Sequence, residues 1–63
     1  MTVEVGQIRR WKSSTASAGD VFIVIVVDDA GTYAGPRWVK YLSGDKEGYD
    51  DFDWVLENSE LLQ

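Results

Sequence analysis

The sequence predicts an all-β domain: a small barrel of four to five short antiparallel strands ending in a single helical turn. Three observations carry that expectation. Val21–Val27 is a run of seven apolar residues, six of them β-branched, a composition that suits a pleated sheet and disfavours helix. Ser43-Gly44-Asp45-Lys46-Glu47-Gly48 has the chemistry of a tight hairpin, with Gly and Asp where positive φ is needed. Finally, 63 residues without cysteine have no disulfide framework to hold them, and closing a small sheet removes its exposed edges.

Each element follows in order. Val3-Glu4-Val5 alternates as a strand, Gly6 permits a bend or bulge, and Gln7–Lys12 resumes extended with Trp11 as a bulky anchor. Ser13–Gly19 is a small-residue loop, expected to be mobile because nothing in it demands order. The Val21–Val27 strand is apolar on both faces, which predicts that both are covered, one by the core and the other by neighbouring side chains or another protein. Asp28–Gly31 and Gly35-Pro36 punctuate a loop that carries Tyr33, and Arg37–Leu42 reads as the third strand. Residues 49–63 fit two templates. A strand aligns Phe52, Trp54 and Leu56, whereas a helix stripes Phe52, Val55, Leu56 and Leu62 with Asp50 or Asp51 as cap. The carboxylates match the strand better, so the expectation is strand over 50–57 and a helical turn at Asn58–Leu61, capped by Asn58 or Ser59.

Composition bounds function. Eight aromatics and 44% hydrophobic residues are a globular signature, and the length allows one domain, residues 1–63. Without Cys or His the usual transition-metal ligands, thiol nucleophiles and imidazole bases are missing. No apolar run approaches the roughly 20 residues of a bilayer span, and the N-terminus lacks signal-peptide patterning. The expected address is therefore cytoplasmic, or the host cytoplasm for a viral protein. Charge is uneven. Residues 1–40 carry five bases and four acids, a net of +1, while residues 41–63 carry one base and seven acids, a net of −6.

Three segments resemble the small SH3-like barrels of phage and bacterial proteins. They are Val3-Glu4-Val5-Gly6-Gln7-Ile8-Arg9-Arg10-Trp11-Lys12, Trp38-Val39-Lys40-Tyr41-Leu42-Ser43-Gly44-Asp45 and Trp54-Val55-Leu56-Glu57-Asn58-Ser59-Glu60-Leu61-Leu62. The resemblance covers most of the chain and implies a fold, but no reaction. Signalling SH3 domains that bind proline-rich peptides match less well: Tyr49-Asp50-Asp51-Phe52 only echoes their acidic loop, and the adjacent tryptophan pair is missing.

Four constellations could carry function. Five carboxylates between Asp45 and Asp53 offer oxygen ligands to calcium, but the glycine and closing glutamate of a calcium loop are missing. A solvated hairpin, or a row of charges imitating phosphates, fits better. The aromatic set flanking that hairpin points to a protein interface. The candidate partner-binding residues are Tyr33, Trp38, Tyr49, Asp50, Asp51, Asp53 and Trp54. Third, Arg9, Arg10, Lys12, Arg37 and Lys40 would form a single-strand nucleic-acid platform with Trp11 and Trp38 if the first and third strands were neighbours. Pairing with Asp51, Asp53 or Glu57 is the plainer expectation. Fourth, the second face of Val21–Val27 offers a seam for self-association. No catalytic group, metal or cofactor is expected. The predicted function is a non-enzymatic, phage-type binding module engaging a protein partner, such as a basic nucleic-acid-handling host protein that it would inhibit.

Overall fold

In a computed structural model, described for residues 2–28 and 37–63, the strands are β1 (Ile8–Trp11), β2 (Val21–Asp28), β3 (Trp38–Ser43), β4 (Lys46–Asp51) and β5 (Ser59–Leu61). One helix, α1 (Phe52–Asn58), lies between β4 and β5. All neighbouring strands are antiparallel, in the order β4-β3-β2-β1-β5. The result is a small all-β, barrel-like domain, with α1 packed against β3, β4 and β5 and contributing Phe52 and Val55 to the core.

The core is one cluster: Val3, Trp11, Phe22, Val24, Val39, Phe52 and Val55, with Val27, Tyr41 and Leu56 packed against it. Strand periodicity explains the contributions of β1 and β2. Phe22 and Val24 point inward, and a β-bulge between Val24 and Val26 resets the alternation, so that Val27 faces the core opposite Val39. Val3 does not belong to a strand. Gly6, at φ 93°, and a turn from the Gln7 N–H to the Glu4 carbonyl fold the N-terminal segment over, and Val3 plugs the core.

The loop expected at Ser13–Gly19 is present between β1 and β2. Ser13–Gly19 is a run of hydrogen-bonded turns: the N–H groups of Thr15, Ala18 and Asp20 donate to the carbonyls of Lys12, Thr15 and Ser17. More consequential, the strand expected over 50–57 ends at Asp51, and from Phe52 the helix template wins. Asp51 is the N-cap, accepting from the Trp54 N–H at 3.2 Å, while Phe52 and Val55 are buried. Such a cap contributes about 1 kcal/mol. Asn58 and Ser59, expected to start a helical turn, finish one instead: the Asn58 amide donates to the Trp54 carbonyl and the Ser59 hydroxyl to the Val55 carbonyl. These bonds satisfy carbonyls that a helix end leaves without partners. Ser59–Leu61 then leaves as strand and pairs with β1.

Candidate functional site

The structure describes six of the seven candidate binding residues and distributes them over different surfaces; Tyr33 lies outside the described residues. Trp38 and Tyr49 come together. The two-residue turn at Gly44-Asp45 sets Ser43 opposite Lys46, and counting back puts Lys40 opposite Tyr49 and Trp38 opposite Asp51. Trp38 and Tyr49 are therefore diagonal cross-strand neighbours, close enough for aromatic rings to touch. Their rings meet edge-to-face at 6.1 Å. With Val26 and Lys40 they line a shallow depression of about 620 Å³ on the outer face of the sheet.

Lys40 joins the two halves of this surface. Its ammonium lies 2.7 Å from Glu47 and 5.6 Å from the centroid of the Tyr49 ring. The Glu47 contact raises its pKa above the ordinary lysine value. Tyr49 is 67% exposed, so its apolar body stands in water beside that charge.

The other candidates serve the fold. Asp50 accepts a 2.6 Å hydrogen bond from the Tyr41 hydroxyl on the core-facing side. Asp51 caps α1, and Asp53 pairs with Arg37 at 2.7 Å. Trp54 packs on Trp11, ring centroids 5.3 Å apart, with its own edge exposed. Val26 and Lys40 stand outside the partner-binding set expected from sequence, which placed Val26 in a self-association seam and Lys40 in a basic stripe. The signals were available: Lys40 lies two residues from Trp38 and so shares its strand face, and Val26 lies on the apolar strand itself.

The acid excess is also placed differently in space than along the chain. Arg10–Glu60, Arg37–Asp53 and Lys40–Glu47 each join a base from residues 1–40 to an acid from residues 41–63. Arg37–Asp53 is one of the pairings expected from sequence. Exposed pairs of this kind contribute little to stability, but they mute the polarity that the linear sequence suggests. The basic stripe does not assemble, because β2 separates β1 from β3, and Arg9 and Trp11 are buried. No cluster suited to a metal ion occurs among the described residues.

The apolar β2 run resolves into two faces. Phe22 and Val24 are buried, whereas Val21, Ile23 and Val26 remain 47%, 37% and 39% exposed. Of the two faces expected to be covered, the inner one is buried and the outer one is partly exposed among the described residues. Among the described residues, the one helix packs against β3, β4 and β5, and no further helix or strand lies over the outer face.

Tyr41 supplies a pH-dependent contribution. Burial, and then the hydrogen bond to Asp50, hold its phenol well above the ordinary value of 10.0. The folded state thus binds this proton more tightly than the unfolded chain does. The resulting stability is complete below pH about 10 and is lost as pH rises through the folded-state pKa. Urea midpoints measured from pH 9 to 12 should fall more steeply for the wild type than for Tyr41→Phe. Parallel curves would show that Tyr41 contributes no such linkage.

Comparison with known proteins finds no matching family model, no matching curated protein and no matching solved structure. The fold and its surfaces define a small all-β domain with an aromatic sheet face. Among the described residues, no helix is long and apolar enough to cross a membrane.

Proposed function

We propose that this chain is a non-catalytic binding module of the small SH3-like type that engages a protein partner through the outer face of its sheet. The observation that carries the reading is the Trp38–Tyr49 ring contact, set beside Val26 and Lys40 on the outer face of the sheet, where Tyr49 is 67% and Val26 39% exposed. Tyr and Trp are enriched among interface residues that dominate binding energy, because a rigid ring gives large contact area at low entropy cost. The net charge of −5 steers encounter towards a basic partner, while the aromatic anchors supply contact energy. A cytoplasmic nucleic-acid-handling protein, inhibited by occupation of its basic groove, fits that description.

The test is comparative capture from the native host with three baits: wild type, Tyr49→Ala, and Asp45→Asn combined with Glu47→Gln. The partner retained by the wild type should bind Tyr49→Ala at least tenfold more weakly, as an anchor worth about 2 kcal/mol implies. The charge variant should slow association and flatten its salt dependence. Undiminished binding by Tyr49→Ala would remove the reading.

Self-association is the second reading, favoured by the exposure of Val21, Ile23 and Val26 on that face. Sedimentation at micromolar concentration separates the two. Under this reading the wild type dimerises and Val26→Glu is monomeric, whereas a monomeric wild type removes the seam.

A further inference from the structure

On the opposite side of the domain, Arg9 is 4% exposed and forms no ion pair among the described residues. Its Nε donates to the Ser59 hydroxyl at 2.7 Å, one terminal nitrogen to the Gln7 side-chain oxygen at 2.9 Å, and the other to the Ser59 carbonyl at 3.2 Å. All three acceptors are neutral. A guanidinium has five N–H donors in a planar fork and keeps its charge in proteins, so two donors are left over. Burial alone pushes the Arg9 pKa below its ordinary value. A buried charge is normally paired, since withdrawing it from water is costly.

The exception has a place for a partner. Arg9 lines a groove of about 470 Å³ between the N-terminal segment, α1 and β5, within the size range of small-ligand sites. Leu56 and Leu61 make its apolar wall, Thr2 and Lys12 add polar and cationic groups, and Glu4 and Glu60 stand among the lining residues. Two acids in the lining and a net charge of −5 disfavour phosphates, nucleic acid and other multiply charged anions. A single planar carboxylate suits the free donors of the fork, and an apolar body suits the leucines.

We infer that the Arg9 groove is a binding site for a single carboxylate carried on an apolar body, received by the buried guanidinium between Leu56 and Leu61. Two sources offer this chemistry: the C-terminus of a peptide ending in an apolar residue, and a free aliphatic acid. The site is separate from the Trp38–Tyr49 face, and its fate is independent of that face's function.

The test is an NMR titration of the ¹⁵N-labelled full chain, following the Arg9 Nε–H signal and the amides of Ser59 and Leu61. The probes are hexanoate, hexanol, and a Gly-Gly-Leu peptide with its C-terminus either free or amidated. Hexanoate or the free-acid peptide should give saturable shifts at these positions, and whichever does so identifies the source. Hexanol and the amidated peptide should not. Arg9→Met removes the charge at similar volume and should abolish the shifts. Should that variant fail to fold, Leu61→Glu adds a repelling charge at an exposed position and should weaken binding at least tenfold. No saturable shift with either acid up to 20 mM, or equal shifts with their neutral analogues, would overturn the inference.

Discussion

Trp11→Ala is expected to leave the protein largely unfolded at room temperature. Trp11 is 5% exposed and is the aromatic centre of the core. Its ring stacks on Phe22 at 4.4 Å, meets Tyr41 edge-on at 5.3 Å and touches Trp54 at 5.3 Å. Truncating a buried aromatic costs about 3–5 kcal/mol, combining lost transfer energy with the cavity left behind. In a chain of 63 residues a single hydrophobic core rarely supplies more than about 3–5 kcal/mol, so one substitution removes most or all of it. Trp54→Ala is the matched control: at 42% exposure it should cost about 1–2 kcal/mol. Urea denaturation followed by circular dichroism measures both. Equal losses for the two variants would show that Trp11 does not organise the core.

Gly48→Ala is expected to destabilise by about 1–3 kcal/mol through overpacking. A Cβ at position 48 would lie 2.8 Å from both Cζ and the hydroxyl oxygen of Tyr41, and 2.9 Å from Cε1. Position 48 faces Tyr41 across the β3–β4 ladder, so the bare backbone is the floor on which that ring lies. The ring cannot move aside freely. It packs against Trp11 and Phe22, and its hydroxyl is bound to Asp50. A double-mutant cycle with Tyr41→Leu identifies the cause, since contacting residues couple and independent ones add. The cost of Gly48→Ala should shrink when the Tyr41 ring is absent. An unchanged cost would place the strain elsewhere.

Much of the fold was legible because its signals are local. The β-branched run at Val21–Val27 defines β2, and the Gly44-Asp45 turn sets the whole β3–β4 register once its two residues are counted. Helix α1 escaped because seven residues span two turns. Over that length Phe52, Val55 and Leu56 satisfy the helical period, while Phe52, Trp54 and Leu56 satisfy the alternating one. The cap at Asp51 decided between them, yet Asp50, Asp51 and Asp53 are alike as letters. In three dimensions one bonds Tyr41, one caps a helix and one pairs with Arg37. At a strand-to-helix junction successive side chains no longer alternate between two faces, so adjacent carboxylates diverge.

By itself the sequence determined the all-β class, the strongest strand, the tight hairpin, and the absence of thiol and imidazole chemistry. It also placed six of the seven C-terminal acid charges in excess, as a fact about the chain. Tertiary structure decided what those charges do, by setting Arg10, Arg37 and Lys40 against Glu60, Asp53 and Glu47. It decided, too, that Trp11 is core while Trp38 and Tyr49 line a depression on the outer sheet face, and that Arg9 is buried among neutral acceptors. Composition and periodicity report what each residue prefers. Which tryptophan is enclosed, and which charge finds a partner, depends on contacts between residues as far apart as 9 and 59, which only the folded chain brings together.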